Sequence, residues 1–416
     1  MWGLIQRKAC FIMETKGISK LDLKRRNRKQ ILRVIRENGP TSRVDIAAKL
    51  ALTRAAVTII TNEMIAQGVL EELGEAPIDY EHLQKGRRKI LIGINANYKF
   101  VLGAMINENN ISVGLSTIDG EILDKELLNI NAKTDQQDII SFIANTCHKM
   151  MKNSNLTSKQ VLGLGIGVVP TRWEQMRAEV ENGKLSFSKL RFMMELELNI
   201  HVECANAVGL YALANLEFTD GPRQNLVLLH SGAQYNCAVI TDNDLQADYE
   251  IHSDNIEKCI VRRNGRKAPG FPDGSIYAEL TPTVFESRVK EIFSEDQTPI
   301  LYKACDCKWS NFDFKKAKYS YEEGDKGVVT IMNDMLDMLA IAIYNLAVTH
   351  FSNRIVLQNY GFGEGTKAYL MKALLNLVGE ENMPKIVFSN FENERSFLAG
   401  CTLATEKMFY EAGGLN

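Results

Sequence analysis

The chain carries almost no net charge: 49 Lys and Arg against 51 Asp and Glu leave −2. A global basic field is absent, so any surface that grips a polyanion must be local. No run of about 18 consecutive apolar residues stands out, and no membrane-spanning helix is expected. The opening MWGLIQRKACFIMETK has neither the apolar centre nor the small-residue cleavage site of a secretory signal. Residues 1–20 are expected to form a tail, with Met13 as a candidate natural start. Eight cysteines lie scattered at 10, 147, 204, 237, 259, 305, 307 and 401, which sets out no disulfide framework. Reduced, mostly buried thiols in a cytoplasmic protein are the expectation. Cys305-x-Cys307 is the one tight pair, and without a second pair or a nearby His it is a weak zinc signal. No metal and no cofactor is expected. At 45% hydrophobic and 24% charged, 416 residues describe an ordinary globular chain, too long for one core and divided into two or three domains.

What is present is a concentration of positive charge in one helix, LKRRNRKQILRVIRENG, with Lys24, Arg25, Arg26, Arg28, Lys29, Arg33 and Arg36. Leu23, Ile31, Val34 and Ile35 recur near helical spacing and predict a core-facing stripe. Asp22 is the expected N-cap, and Gly39-Pro40 the stop. Ser42-x-x-Asp45 reads as a capping box opening a short helix that buries Val44, Ile46, Ala47 and Leu50. After the tight Ala51-Leu52 connection, Thr53 caps another helix, with Val57, Ile60, Met64 and Ile65 inward. Two helices joined so briefly cross steeply, and the second projects. Its outward residues are expected to be Thr53, Arg54, Ala55, Thr58, Thr61 and Asn62, short polar groups and one Arg suited to base edges and phosphates.

Residues 69–73 and 89–92 alternate as two wing strands, with Gly86, Arg87, Arg88 and Lys89 near the tip, where Arg can enter a narrow A·T-rich minor groove. A lone basic helix would be a solvated face. Helix, turn, helix and wing together predict a head that binds double-stranded DNA. Its candidate contacts are Arg28, Ser42, Arg43, Thr53, Arg54, Ala55, Thr58, Asn62, Arg87 and Arg88.

From Phe100 the pattern changes to short apolar runs between turns. FVLGAMI and NNISVGLSTIDGEIL give paired strands around Asp119-Gly120; a helix at 137–151 and the strand VLGLGIGVVP follow. HVECANAVGLYALANLE reads as a strand running into a helix. NLVLLH and NCAVITDNDL open a second lobe, with a long helix at 326–350, the buried strand RIVLQNYG, and a last helix after Glu392. Ala399, Gly400 and Ala404 give that last helix a small-residue face.

These stretches resemble the ROK family of repressors and sugar kinases, in the repressor branch that includes the xylose and N-acetylglucosamine repressors. The resemblance covers residues 21–410. It is most specific in NRKQILRVIRENGPTSRVDIAAKLALTRAAVTIITNEMIAQGVL, and continues through GLGIGVVP and EGDKGVVTIMNDMLDMLAIAIYNLAVTHFSNRIVLQN. It implies an α/β fold: an N-terminal winged helix-turn-helix at 21–95, then a two-lobed ribonuclease-H-like, actin-like sugar-kinase domain at 96–416. Lobe one would take 96–222 plus the C-terminal helix, and lobe two 223–395.

Departures from the family carry the functional expectation. Kinase members have Asp-x-Gly-Gly-Thr-Lys on the first strand turn; here Met105 stands for the Asp and no Gly pair follows. The second, Gly-rich phosphate loop reads Ser231-Gly232-Ala233-Gln234-Tyr235-Asn236-Cys237, where Gln and Tyr side chains are expected to fill the space for phosphate. The Gly-Gly near the adenosine reads Gln358-Asn359. Cys204 replaces the catalytic Asp, a poor base toward an alcohol. Of the family's zinc cluster His252 and Cys259 remain, too few to close a site, and a packed loop is expected instead, with Ser275 for the last cysteine. Asn206, Glu250, His252 and Glu279 align with or lie beside the positions that hold sugar hydroxyls in relatives. The resemblance thus implies a non-catalytic DNA-binding regulator of carbohydrate-metabolism genes, xylose among them, working as a homodimer or homotetramer with a small carbohydrate effector and no membrane. The alternatives are an active sugar kinase with an appended head, and a regulator controlled by a protein partner.

Overall fold

The structure is a computed structural model that describes residues 20–77, 88–131, 133–178, 186–219, 224–242, 244–246 and 254–415. It divides into two compact units: one holds the residues up to Asn95 together with those from Phe409 on, and the other is Ala96–Met408.

In the first unit α1 (Lys20–Asn38) leads to a two-residue strand β1 (Thr41–Ser42), then α2 (Arg43–Leu50), α3 (Arg54–Ala66), β2 (Leu70–Glu75) and β3 (Ile90–Ile94). Gly39 takes a φ of 71°, the left-handed value that ends α1 and that a side chain would strain. Ile31, Leu32, Val34 and Ile35 of α1, Ile46 of α2, and Val57 and Met64 of α3 are buried, and the three helices touch one another around one small core. The strands form an antiparallel sheet in the order β1-β3-β2, with a bulge between Glu72 and Gly74. The expected wing pair is there, and β1 adds a third strand too short to leave a periodic signal. Three expectations change. Leu23 and Val44 are exposed, because the core is already closed by the residues above. Asp22 lies inside the first turn of α1.

The second unit holds two sheets. Lobe one begins with β4 (Phe100–Ile106), β5 (Asn110–Ser116), β6 (Ile122–Asn129) and α4 (Gln136–Asn153). It continues with β7 (Val161–Val168), α5 (Pro170–Ala178), α6 (Phe187–Leu198), β8 (Val202–Asn206) and α7 (Ala207–Glu217). Lobe two has β9 (Leu226–Ser231), β10 (Tyr235–Thr241), β11 (Asp244–Leu245), α8 (Ile276–Leu280), α9 (Pro282–Ile292), α10 (Pro299–Ala304) and α11 (Phe314–Glu322). It closes with α12 (Lys326–Thr349), β12 (Arg354–Gln358), α13 (Glu364–Val378) and β13 (Lys385–Phe388); α14 (Phe397–Ala404) follows and packs on lobe one. The sheet orders, β6-β5-β4-β7-β8 and β11-β10-β9-β12-β13, repeat one scheme: antiparallel hairpins on one side and parallel strands on the other.

β7 explains its own sequence. Leu164, Ile166 and Val168 face the core formed with α4 and α6. On the opposite face a Cβ at Gly165 would stand 2.0 Å from the Gly400 carbonyl oxygen, so α14 lies with its backbone against the strand. A strand buried on both faces needs apolar residues throughout, and one face here has room for glycine alone.

α12 is long and apolar enough by length and composition to cross a membrane, contrary to the expectation of no such stretch. Half of its most apolar window is buried in the protein, where Leu336, Leu339 and Ile343 join Val227, Leu229 and Ile355 in the core of lobe two.

The last residues also depart from expectation. Assigned with the kinase-like domain as part of 96–416, residues from Phe409 on instead pack in the first unit. Arg28 is the reason. Its Nε donates to the Gly413 carbonyl at 2.7 Å and its Nη2 to that of Gly414 at 3.2 Å. The Arg36 guanidinium lies 3.9 Å above the centre of the Tyr410 ring.

Candidate nucleic-acid interface and interlobe cleft

The outward surface of α3 is built by its cap. Thr53 is extended, and its hydroxyl accepts from the Ala56 N–H at 3.2 Å, satisfying one of the open donors of the first turn. Arg54, Ala55, Thr58 and Asn62 are exposed. Ile59, 68% exposed, joins them, and its spacing from Ala55 and Asn62 puts all three on one face. An isoleucine left in water on such a face has no packing role; it went unremarked in the sequence because an apolar residue in a helix reads as core. Thr61, expected outward, is buried and donates to the Val57 carbonyl at 2.9 Å.

Two of the candidate DNA contacts are taken by the fold. Arg28 is 0% exposed and holds the C-terminal carbonyls, so it offers nothing to a phosphate. Ser42 is buried and closes the capping box: it accepts from the Asp45 N–H at 3.2 Å and donates to the Asp45 carboxylate at 2.6 Å. Lys89 first, then Ser42, hold the Asp45 carboxyl below its ordinary range. Arg43 is pinned between elements. It reaches Thr61 at 3.1 Å, Asn62 at 2.9 Å and Glu72 at 2.8 Å, tying α2 and α3 to the wing. Arg88, on the wing, pairs with Glu75 at 3.1 Å while both stay in water. Arg87 and Gly86 lie outside the described residues, as does the tail before Lys20. On α1, Arg25, Arg26 and Lys29 are exposed.

In the second unit the hairpin turn after β4 faces the turn between β9 and β10. Glu108 Oε1 accepts from the Ala233 N–H at 2.7 Å and from the Thr171 hydroxyl at 3.1 Å. Arg172 donates to the Glu108 carbonyl at 2.7 Å and so fixes the turn. A Cβ at Gly232 would come within 2.6 Å of the same carboxylate oxygen. The space beside Gly232 and Ala233 is therefore filled by Glu108, where Gln234 and Tyr235 were expected to fill it. In the sequence Glu108 is an unremarkable hairpin residue, and only the meeting of two distant turns gives it this part.

The neighbouring positions are equally engaged. Met105 is fully buried, its sulfur against Gly167. Gln358 Nε2 donates to the Phe391 carbonyl at 2.9 Å. Asn359 has a φ of 64°, a conformation natural to glycine; its Nδ2 donates to the Ser231 carbonyl at 2.7 Å and its N–H to Glu392 at 2.8 Å. Burial raises the Glu392 carboxyl above its ordinary range. His230 is buried against the Tyr211 ring, and desolvation lowers it to about 4, so it is neutral at ordinary pH. Burial drives the Cys204 thiol well above its ordinary range, the opposite of what activates a nucleophile.

Of the four expected ligand contacts, Asn206 and Glu279 are engaged within the fold. Asn206 caps α7, accepting from the Val208 N–H at 2.9 Å. Glu279 is 0% exposed and accepts from the Arg266 N–H at 2.6 Å. It anchors the 260–274 loop, whose Gly274 N–H donates to the Arg266 carbonyl at 2.8 Å, and is not open to a ligand. Ser275 caps α8. Glu250 and His252 lie outside the described residues. Among the described residues no group of three His, Cys, Asp or Glu comes together to hold a metal ion. A cavity of about 480 Å³ does open between Glu108, Ser231 and Asn359 on one side and Phe285, Leu339 and Phe362 on the other.

Comparison with known proteins places these features. The winged helix-turn-helix DNA-binding family matches residues 24–71. A xylose repressor of Caldicellulosiruptor bescii is 28% identical over 227 residues, 54% of this chain and 55% of that protein. This match spans about half the length of that relative. Among solved structures, a ROK family transcriptional regulator, homolog of E. coli MLC protein, superimposes with a TM-score of 0.71 at 17% identity, covering 94% of this chain and 98% of that one. A ROK family glucokinase from Streptomyces griseus in complex with glucose and AMPPNP gives 0.57 at 14% identity, covering 74% of this chain and 99% of that one.

Proposed function

We propose that the chain is a member of the ROK family and a DNA-binding transcriptional repressor of carbohydrate-metabolism genes, whose kinase-like domain receives a signal and catalyses nothing. The observation that carries the reading is the outward face of α3. Arg54, Ala55 and Thr58 stand exposed in the N-terminal half of a capped helix that projects from a three-helix head, with Asn62 exposed one turn further. Arg54 and Asn62 offer donors to base edges or phosphates, and Ala55, Thr58 and Ile59 offer methyl groups to thymine. Thr53 and the exposed Arg25, Arg26 and Lys29 supply phosphate contacts. Arg88, with Arg87, would enter the minor groove from the wing. Arg43 serves this surface from behind by fixing α3 against the wing.

The non-catalytic reading rests on three residues. Glu108 takes the Ala233 N–H that a phosphate would need. By the resemblance, Met105 stands at the position of the family's Asp and Cys204 at that of its base. The relative from C. bescii is named a xylose repressor, which makes a pentose the first carbohydrate effector to try. Asn206 and the neighbourhood of Glu250 and His252 are the contacts we assign to it. Two heads on a homodimer or homotetramer would meet a palindromic, A·T-rich operator with half-sites about one helical turn apart, in the cytoplasm with the chromosome.

The test is a gel shift and footprint on DNA upstream of its own gene, at moderate salt. Protection of a palindrome, released by xylose or a related sugar, is expected. Equal affinity for random DNA defeats the reading. Release of ADP from ATP over a panel of hexoses and amino sugars would establish the kinase alternative.

A further inference from the structure

We propose that the cavity between Glu108 and Phe362 is a binding site for an uncharged ring molecule carrying a hydrogen-bond donor at one end. Asn206 does not line it. About 480 Å³ lies within the range of small-molecule pockets. Its walls are mostly apolar: Phe285, Phe314, Met335, Leu339, Tyr360 and Phe362 line it. Phe314 is 49% exposed and lies 6.3 Å, centre to centre, from Phe285. A ring presented to water beside an apolar cavity gains by being covered together with it.

The polar end decides the charge of the occupant. Glu108 lines the cavity, and its Oε1 already serves the Ala233 N–H and the Thr171 hydroxyl. Among the described residues its Oε2 has no hydrogen-bond partner, so it is an acceptor awaiting a donor. An anion would meet a fixed carboxylate and find the loop donor already taken. Lys318 reaches the Phe362 carbonyl at 3.4 Å, and the acidic Glu286 lines the cavity as well. Two hydroxyls are committed: that of Tyr321 donates to Asn333 at 2.7 Å, and that of Thr366 to the Gly363 carbonyl at 2.9 Å. The buried Tyr360 hydroxyl in the wall has no hydrogen-bond partner among the described residues and can meet the occupant's own amine or hydroxyl. A polypeptide segment is disfavoured, because it would bring an N–H and a C=O per residue to walls with few open partners. Rings with a single amine or hydroxyl donor suit what remains.

Two fluorescent dyes sharing one skeleton separate the terms. N-phenyl-1-naphthylamine is uncharged and carries one N–H; 8-anilino-1-naphthalenesulfonate adds a sulfonate. With the full chain, the neutral dye should saturate at one site, and the sulfonate should bind about tenfold more weakly or worse. Ala317, buried in the cavity wall, gives the blocking variant: Ala317→Phe should abolish the neutral-dye signal while far-UV circular dichroism is unchanged. Glu108→Gln keeps the side-chain shape and should narrow the gap between the dyes, which keeps the proposal testable even where Ala317→Phe does not fold. Equal binding of the two dyes overturns it. So does neutral-dye binding that survives in folded Ala317→Phe, a dye gap unmoved by Glu108→Gln, or displacement of the neutral dye by Mg-ATP.

Discussion

The outer face of α3 and the interlobe cleft are made from the same kinds of residue and treat them in opposite ways. On α3 the side chains of Arg54, Thr58 and Asn62 are exposed. That of Arg54 has no partner among the described residues, while Thr58 and Asn62 each keep one bond within the head. In the cleft Glu108, Gln358, Asn359 and Glu392 each bond another turn or strand of the same unit. Polar groups left open on a surface are available to a partner; polar groups joined to each other hold a shape. The difference teaches where function can reside, and it sorts mutations. A residue whose bonds are internal should lower stability when removed, and an open one should lower binding alone.

Arg28 is the most demanding case, because it sits among basic residues of α1 yet belongs to the internal class. Arg28→Ala should destabilise the first unit by about 3–4 kcal/mol, since it leaves the Gly413 and Gly414 carbonyls without their charged donor. Urea denaturation measures it. A variant of unchanged stability but weakened DNA binding would return Arg28 to the contact surface and break the division.

How much of this was legible depends on how far apart the partners lie. The capping box Ser42-x-x-Asp45 and the Thr53 cap act within three residues, so the helices of the head could be located from sequence alone. The apolar run of β7 was legible as a strand, but that its glycines face the backbone of α14 shows only in the fold. Arg28 could not be read correctly, because its partners are 385 and 386 positions away. Glu108 and Ala233 are 125 apart, and neither turn reveals the other. Glu279 was named from the family's pattern, but the 260–274 loop that covers it carries no periodic signal. Local rules found elements; long-range bonds decided which polar residues stayed open.

His230 tests the cleft by pH. Its folded value, about 4, lies below the ordinary 6.5, so the unfolded chain takes up a proton first as pH falls. The contribution of the neutral imidazole is complete above 6.5 and is lost as pH falls from 6.5 toward 4, by up to about 3 kcal/mol. Thermal melts across that window should show the decline, and His230→Gln should flatten it. A slope that persists unchanged in the variant assigns the effect elsewhere.

Arg54→Ala should leave stability within about 0.5 kcal/mol and weaken operator binding by about 1–3 kcal/mol, the reverse of Arg28→Ala. A melting temperature that drops with it would move Arg54 into the internal class. Footprints of the variant would also show whether discrimination falls at one base pair or affinity falls everywhere, which separates a base contact from a phosphate contact.

Arg88 sits on the line between the classes and gives the smallest effect. Its pair with Glu75 is exposed on both sides, and such pairs contribute about 0–1 kcal/mol. Removing the acid should therefore hardly change stability, yet it frees a guanidinium on the wing and takes away a negative charge beside DNA. Glu75→Gln should tighten binding a few-fold at low salt, with the gain fading as salt rises, because released counterions and screened repulsion both weaken with ionic strength. If affinity and its salt dependence stay as they were, the wing arginine is not near the duplex. The pair would then be one more internal contact, and the open surface of the head would shrink to α3 and the exposed basic residues of α1.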